Sequence, residues 1–592
     1  MRLKITEDEI KRLGRVALGK EPSDLVINNG SILNVYTGEV LKEQQILTAG
    51  ERIAYVGPRC EFPLGPDTTV VDLDGQVVIP GLIDGHIHMD AWVRVGEFVR
   101  MSLPGGTTTI INEIGASAGA MGVEGVKIFL RQSMCQPQRF FAMAPTIVYI
   151  SSYKGEGKKA IDTRGMLEVL DMPEILGLGE VYWPHLLKDS PDEDLISLMA
   201  GAMARGKTVE GHSAGAKKQK LAALVAMGFD ACHEPITADE VRERLRQGLF
   251  TMIREGAVRR ELEEVIEPLI GMKTDLRRAI LVSDGIWPGH LKELGHMDHI
   301  VQKAINLGLD PVQAVRMATL NVAEHFHLAG DLGGIAPGKC ADLVVIPDIK
   351  SIKALMVVCR GRVVAKEGRL TVDPSTIPYP EEAYRSLRLP RIAPDFFHIP
   401  AAGTEARARS IHMVTSIVNR EVVLKLPVID GLVSTAGAGD VLKAAVFDKH
   451  REDGNAALGF ITGSGLKEGA LAASFSFDEN NLVVIGCNDR DMAFAVNRVR
   501  ETKGGIAYCR NGQVLAEIPM PIFGAVSELS GAEAAARMES LESFLKQSGW
   551  LHENPLLTVF TLTFTAIPSI RLISRGYWLA KENRIVDLFL DE

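Results

Sequence analysis

Eight short apolar runs alternate with helix-like stretches between residues 77 and 283, and no other feature of the 592-residue chain restricts its fold as much. The runs cover 77–83, 108–112, 140–150, 175–179, 208–211, 231–232, 249–253 and 279–283. Parallel strands need a crossover between them and are covered on both faces. Apolar runs of strand length separated by helical patterns therefore read as βα units. Eight such units close into a (β/α)8 barrel of TIM type.

The residues that end these runs carry the chemistry. The first run leads into Pro80-Gly-Leu-Ile-Asp-Gly-His-Ile-His88, the fourth into Gly177-Leu-Gly-Glu180, and the fifth into Glu210-Gly-His212. The sixth ends Cys232-His233 and the eighth Val282-Ser-Asp284. Catalytic groups of such a barrel sit where the C-terminal strand ends converge. In an extended chain, His86 and His88 point to one face and can reach a single ion. The pattern therefore predicts a two-ion site. His86, His88 and Asp284 serve one ion, His212 and His233 the other, and the two oxygens of Glu180 bridge them. A nitrogen and oxygen donor set suits Zn, Mn or Fe. Paired cations lower the pKa of a bound water towards neutrality, and Asp284 is placed to take its proton and pass it to a leaving amine. Asp284, Glu180 and His233 are expected to act in catalysis. Glu113, ending the second run, and Arg254, after the seventh, are expected as supporting or substrate contacts. The histidines after the eighth run, His290, His296 and His299, are expected mostly in solvated loops. Cys232 is expected to pack.

The rest of the chain frames this barrel. Residues 1–20 read as a charged amphipathic helix, and 21–78 as short strands with an Asn28-Asn-Gly30 turn. Residues 331–395 return as strands and a Pro-rich linker; the strands are expected to rejoin those before the barrel in one small composite β-sandwich. The division is therefore 1–78, a barrel at 79–330, 331–395, and a C-terminal α+β domain at 396–592. The apolar stretch 555–570 is rich in Thr and reads as strands rather than as a membrane span.

Charge excludes one class of function. The net charge of -10, from 65 basic and 75 acidic residues, opposes a general phosphate-backbone binder, so no nucleic-acid partner is expected. No membrane segment is expected either. Seven scattered Cys without a Cys-x-x-Cys pair, and an N-terminus without an apolar signal core, predict a reducing cytoplasm.

These residues resemble the amidohydrolase superfamily and, within it, the bacterial adenine deaminase family. Pro80 to His88 is similar to the superfamily's first-strand signature. Glu180 stands where many relatives carry a carbamylated Lys and adenine deaminases a Glu. Met252-Ile-Arg-Glu-Gly256, Gly295-His-Met-Asp298, Ala336-Pro-Gly-Lys-Cys-Ala-Asp-Leu-Val344, Gly465-Leu-Lys-Glu-Gly-Ala-Leu-Ala-Ala-Ser474 and Ile518-Pro-Met-Pro-Ile-Phe-Gly524 resemble that family as well. The resemblance implies attack of hydroxide on C6 of adenine, giving hypoxanthine and ammonia. It also implies Mn or Fe as the metal, a small heterocyclic substrate and a homo-oligomer. Three departures fall around the expected substrate position. Asp90-Ala91 replaces Glu-Ser, and Asn112-Glu-Ile-Gly replaces Asp-Pro-His-Glu. Phe477 and Asn480 replace both His of a Ser-x-x-His-Asp-Ser-His-Asn pattern. Two other readings stay open at this point: opening of a ring amide in a nitrogen heterocycle, and a catalytically silent barrel used for binding.

Overall fold

The computed structural model describes residues 3–151, 160–565, 569–582 and 584–590. Eight parallel strands form the central sheet: β1 (Leu82–Ile87), β2 (Thr107–Glu113), β3 (Arg139–Pro145), β4 (Ile175–Tyr182), β5 (Thr208–His212), β6 (Ala231–Cys232), β7 (Phe250–Arg254) and β8 (Ala279–Val282). They pair in sequence order, and the barrel closes where Ile87 of β1 bridges Asp284 after β8. That closure is made by His88 N donating to Asp284 O at 2.7 Å and Asp284 N to His86 O at 2.9 Å. The hydrogen bonds that shut the barrel thus run through three candidate site residues. Helices flank the strands, so nearly every strand residue is buried, as a doubly covered parallel sheet requires.

Three sequence expectations are corrected. The run 77–83 is two strands, Val77–Pro80 in another sheet and β1 in the barrel. The chain changes sheets at Gly81, where a Cβ would lie 2.2 Å from Thr108 Oγ1, so only glycine passes there. The run 140–150 is a strand to Pro145 followed by the helix Thr146–Ser151. The stretch 555–570 departs from strand over its first part: Pro555–Phe560 is a helix, capped by Asn554 with Pro at its first position, Thr561–Thr563 is a single helical turn, residues 566–568 lie outside the described residues, and Ile570 opens the strand Ile570–Ile573. Apolar content misled there, because Asn-Pro is a helix start.

A nine-stranded sheet joins chain from both sides of the barrel. Val77–Pro80 runs antiparallel to Leu343–Ile346, which follows the barrel, and parallel to Leu25–Asn34, which precedes it. Arg139 of β3 fastens this sheet to the barrel floor through a buried ion pair with Asp342, Nε to Oδ2 2.7 Å. Asp342→Ala would leave that guanidinium, 5% exposed, with only the half-exposed Glu51 carboxylate at 2.9 Å, and is expected to destabilise the protein by about 2–3 kcal/mol. Denaturant unfolding checks this, and a change under about 1 kcal/mol would contradict it.

The C-terminal domain is a second nine-stranded sheet, from Glu405–Met413 to Gln513–Pro519, with the helix Asp489–Glu501 packed on it. The Pro-rich stretch before it is an ordered strap, with Ala383, Leu389, Ile392 and Phe397 all buried. This domain sits on the barrel mouth. Val526–Ser527 pairs with Trp92–Val93 after β1, and the helix Gly531–Gln547 packs against Val95–Ser102 and Pro288–Glu293. No helix among the described residues is long and apolar enough to cross a membrane.

Candidate active site

Glu180 organises the site. It sits in a bulge of β4, where pairing with β5 slips between Leu178 and Val181. Its φ of 45° is a left-handed conformation that a non-glycine residue holds only when its surroundings impose it. The bulge turns the carboxylate into the barrel mouth, where the side chain is 3% exposed. Four imidazoles converge on one of its oxygens. Oε1 lies 3.0 Å from His212 Nε2, 3.3 Å from His88 Nε2, 3.6 Å from His233 Nε2 and 3.7 Å from His86 Nε2. Asp284, also left-handed at φ 61°, places Oδ1 3.6 Å from both His86 Nε2 and His88 Nε2.

The donor set fits divalent cations. Three overlapping groups each bring their ligand atoms within 4.8 Å of one another: His86, His88 and Glu180; His86, His233 and Asp284; Glu180, His212 and His233. Among the described residues, His86 Nε2 and Glu180 Oε2 are buried with no hydrogen-bond partner. His212 Nε2 and His233 Nε2 stand 2.9 Å apart, nitrogen facing nitrogen. Unmatched buried polar atoms are costly, and two imidazole nitrogens this close need a proton or a metal cation between them. A positive ion among them relieves both.

The charges point the same way. Burial opposes protonation of His212, but the Glu234 and Glu180 carboxylates override it and raise its pKa to about 9. Burial and the neighbouring His86 and His212 push His233 well below the ordinary histidine range. Burial disfavours the Glu180 carboxylate, yet His88 and His212 hold its pKa well below normal. Burial likewise opposes Asp284, and its bond to His86 and the charge of Arg254 lower it nonetheless. The two buried carboxylates thus draw positive charge onto the neighbouring imidazoles, the charge that divalent cations would supply.

The supporting residues separate by position. Glu113 does not line the cavity. It lies behind His86, Oε1 to Nδ1 3.5 Å, and a Cβ on Gly179 would fall 1.8 Å from its Oε2. It orients the His86 ring, so Glu113→Ala is expected to cost about 10- to 100-fold in metal affinity, read by chelator competition. Wild-type affinity in the variant would contradict that role. Arg254 lines the cavity, but its guanidinium holds Asp284 Oδ2 at 3.2 Å and Glu261 at 3.1 and 3.2 Å. It positions Asp284. His296 departs from the loop expectation: it is 1% exposed, and its Nε2 meets Asp84 Oδ2 at 2.9 Å behind β1. Asp84 also accepts from Ser283, which ties β1 to β8. His290 is half-buried beside Arg260. Cys232 is buried and receives a hydrogen bond from Ser213.

The cavity over this cluster, about 130 Å³, is lined from both domains. Trp92 and Trp287 come from the barrel loops, and Phe475, Phe477, Asp478 and Phe564 from the C-terminal domain. Sequence reasoning singled out Phe477 and Asn480 only as departures. Phe477 forms cavity wall, while Asn480 also ties the domains, its Nδ2 donating to Ala116 O at 3.1 Å. Asp478 was missed; its place in the quoted 474–481 segment was the available signal. A larger cavity, about 790 Å³, opens in the C-terminal domain beside Lys443, whose ammonium is held by Asp489 and the Phe397 carbonyl.

Fold and site together define an amidohydrolase, and the Amidohydrolase family matches residues 77–364. The Adenine deaminase C-terminal domain family matches residues 416–584. The chain is 36% identical over 585 residues to the adenine deaminase of Moorella thermoacetica, covering 98% of each chain. It is 36% identical over 589 residues to that of Clostridium botulinum, again covering 98% of each. The chain therefore belongs to the adenine deaminase family. Among solved structures, a β-aspartyl dipeptidase from Fervidobacterium islandicum superposes on 61% of this chain and 100% of its own, at 17% identity and a TM-score of 0.46.

Proposed function

We propose that this chain hydrolyses adenine to hypoxanthine and ammonia at the barrel mouth, using two divalent cations held by His86, His88, Glu180, His212, His233 and Asp284. The observation that carries this reading is the convergence of four imidazole Nε2 atoms on Glu180 Oε1 within 3.7 Å, beside Asp284. When bound, the cations, Mn or Fe by family resemblance with Zn also suited to the donors, lower the pKa of a water towards neutrality.

The chain's own residues do the remainder. Glu180 offers one oxygen to two ligand groups and so keeps them in register. His233, held neutral by its surroundings, serves as a ligand. Asp284 takes the proton of the attacking water and returns it to the exocyclic amine as the C6–N bond breaks, so the nitrogen leaves as ammonia. Arg254 keeps Asp284 ionised and aimed. The aromatic walls exclude bulk water and stack a flat ring.

Full-length likeness to adenine deaminases, with the ligand cluster assembled, favours deamination over ring-amide hydrolysis or a silent barrel. All seven cysteines are free thiols, which supports action in the cytoplasm. A panel of purines and cyclic amides, offered to the Mn-loaded protein with ammonia assay and mass spectrometry, tests the reading. Adenine is expected to yield hypoxanthine and one ammonia. Turnover of a cyclic amide with none of adenine would overturn it.

A further inference from the structure

Apart from Phe564, the part of the C-terminal domain that lines the cavity at the barrel mouth is one tight turn, residues 474–481. The turn is strained and pinned. Asp478 and Asn480 hold left-handed backbone at φ 64° and 49°, a conformation that non-glycine residues keep only where the surroundings over-determine it. The buried Lys449 Nζ donates to Ser474 O at 3.0 Å and to Asn480 Oδ1 at 3.1 Å, and Asn480 in turn donates to the barrel at Ala116 O. Two hydroxyls fix the Asp478 carboxylate: Tyr182 donates to Oδ1 at 3.0 Å and Thr565 to Oδ2 at 2.8 Å. Tyr182 lies two residues past Glu180 and stacks on His212, ring centroids 4.8 Å apart and planes within 10°. One side chain thus separates Asp478 from the ligand cluster, and both face the same cavity. Burial lifts the Asp478 carboxyl to about 6, against the pull of its two hydroxyl donors, so it is mainly ionised at neutral pH. An ionised carboxylate only accepts hydrogen bonds. In a cavity whose wall also carries Phe475 and Phe477, which favour a flat ring, it calls for a heterocyclic N–H.

We propose that Asp478 determines specificity at the far edge of the substrate, accepting a hydrogen bond from the imidazole-ring N–H of a purine whose C6 lies at the metal cluster. The inference rests on the deaminase reading above. Adenine carries one such N–H, and a 9-substituted adenine carries none. Asp478 therefore selects the free base over nucleosides and 9-alkyl bases, and no bond is made or broken at its carboxylate.

The test compares adenine with 9-methyladenine in the metal-loaded wild type, Asp478→Ala and Asp478→Asn. It also compares the affinities of hypoxanthine and 9-methylhypoxanthine by calorimetry. Wild type is expected to prefer adenine by at least roughly 100-fold in kcat/KM, because the analogue offers that carboxylate no donor. Asp478→Ala is expected to lose roughly 30- to 100-fold on adenine, mostly through KM, with little change on 9-methyladenine. Asp478→Asn, which keeps the shape and one acceptor, falls between and reads the same ratio should the alanine variant not fold. The calorimetric preference for hypoxanthine collapses in parallel, while metal content per chain is kept. Equal losses on both bases, or a wild type that takes them equally, overturn the proposal while leaving the deaminase reading intact. A metal-loaded wild type that releases no ammonia from adenine overturns both.

Discussion

Glu180→Ala is expected to remove the bound divalent metal and to lower kcat/KM for adenine by at least about 10⁴-fold, since both the charge stabilisation and the activated water depend on it. The size follows from position. Oε1 is within 3.0–3.7 Å of four imidazole nitrogens, so deletion leaves those rings facing one another with no shared anion. Loss of that negative charge also removes the main offset to burial at His88 and, beside Glu234, part of the offset at His212. The β4 bulge should survive, because Glu180 is held at φ 45° by strand pairing and alanine keeps the backbone. Circular dichroism and a melting curve would show a folded chain beside a metal analysis near zero. Retention of full metal content with full activity would contradict the assignment.

Asp284→Asn is expected to lower kcat for adenine by about 10³-fold with KM changed little, the range typical of removing a positioned general acid–base group. Asparagine keeps the shape and an oxygen toward His86 and His88, so metal is expected to be retained in part. It cannot take up a proton. It also loses the charge that meets Arg254 Nη1 at 3.2 Å, and Glu261 becomes the sole carboxylate on that guanidinium. Ammonia release at saturating adenine, with metal content measured on the same sample, checks this. A variant with wild-type kcat, or one whose loss tracks lost metal alone, would reassign Asp284 from proton transfer to ligation.

Much of this site was legible in the chain because a parallel barrel turns sequence order into geometry. His86, His88, Glu180, His212, His233 and Asp284 each close an apolar run, and the fold brings all such ends to one face. Four limits have physical causes. Gly81 splits one apolar run between two sheets through a close approach to Thr108, which no periodicity reveals. The stretch 555–570 has apolar content suited to either element, and its Asn554-Pro555 helix start outweighed its β-branched residues. Glu113 and Arg254 were placed near the chemistry, but their partners, His86 and the Asp284–Glu261 pair, come from other strand ends and loops. Asp478 lies 194 positions beyond Asp284 and enters the cavity only because one domain docks on another. Local pattern carries no record of that docking.

The central claim is that side chains from five barrel strands gather divalent cations that make water reactive towards adenine. Titrating the metal-free protein with Mn, while counting metal bound per chain and ammonia released from adenine, tests it most directly. Deamination is expected to be absent without metal, to rise with metal bound and to saturate at two ions per chain. Full deaminase activity in the metal-free protein, or a metal-saturated protein that leaves adenine unchanged, would contradict it.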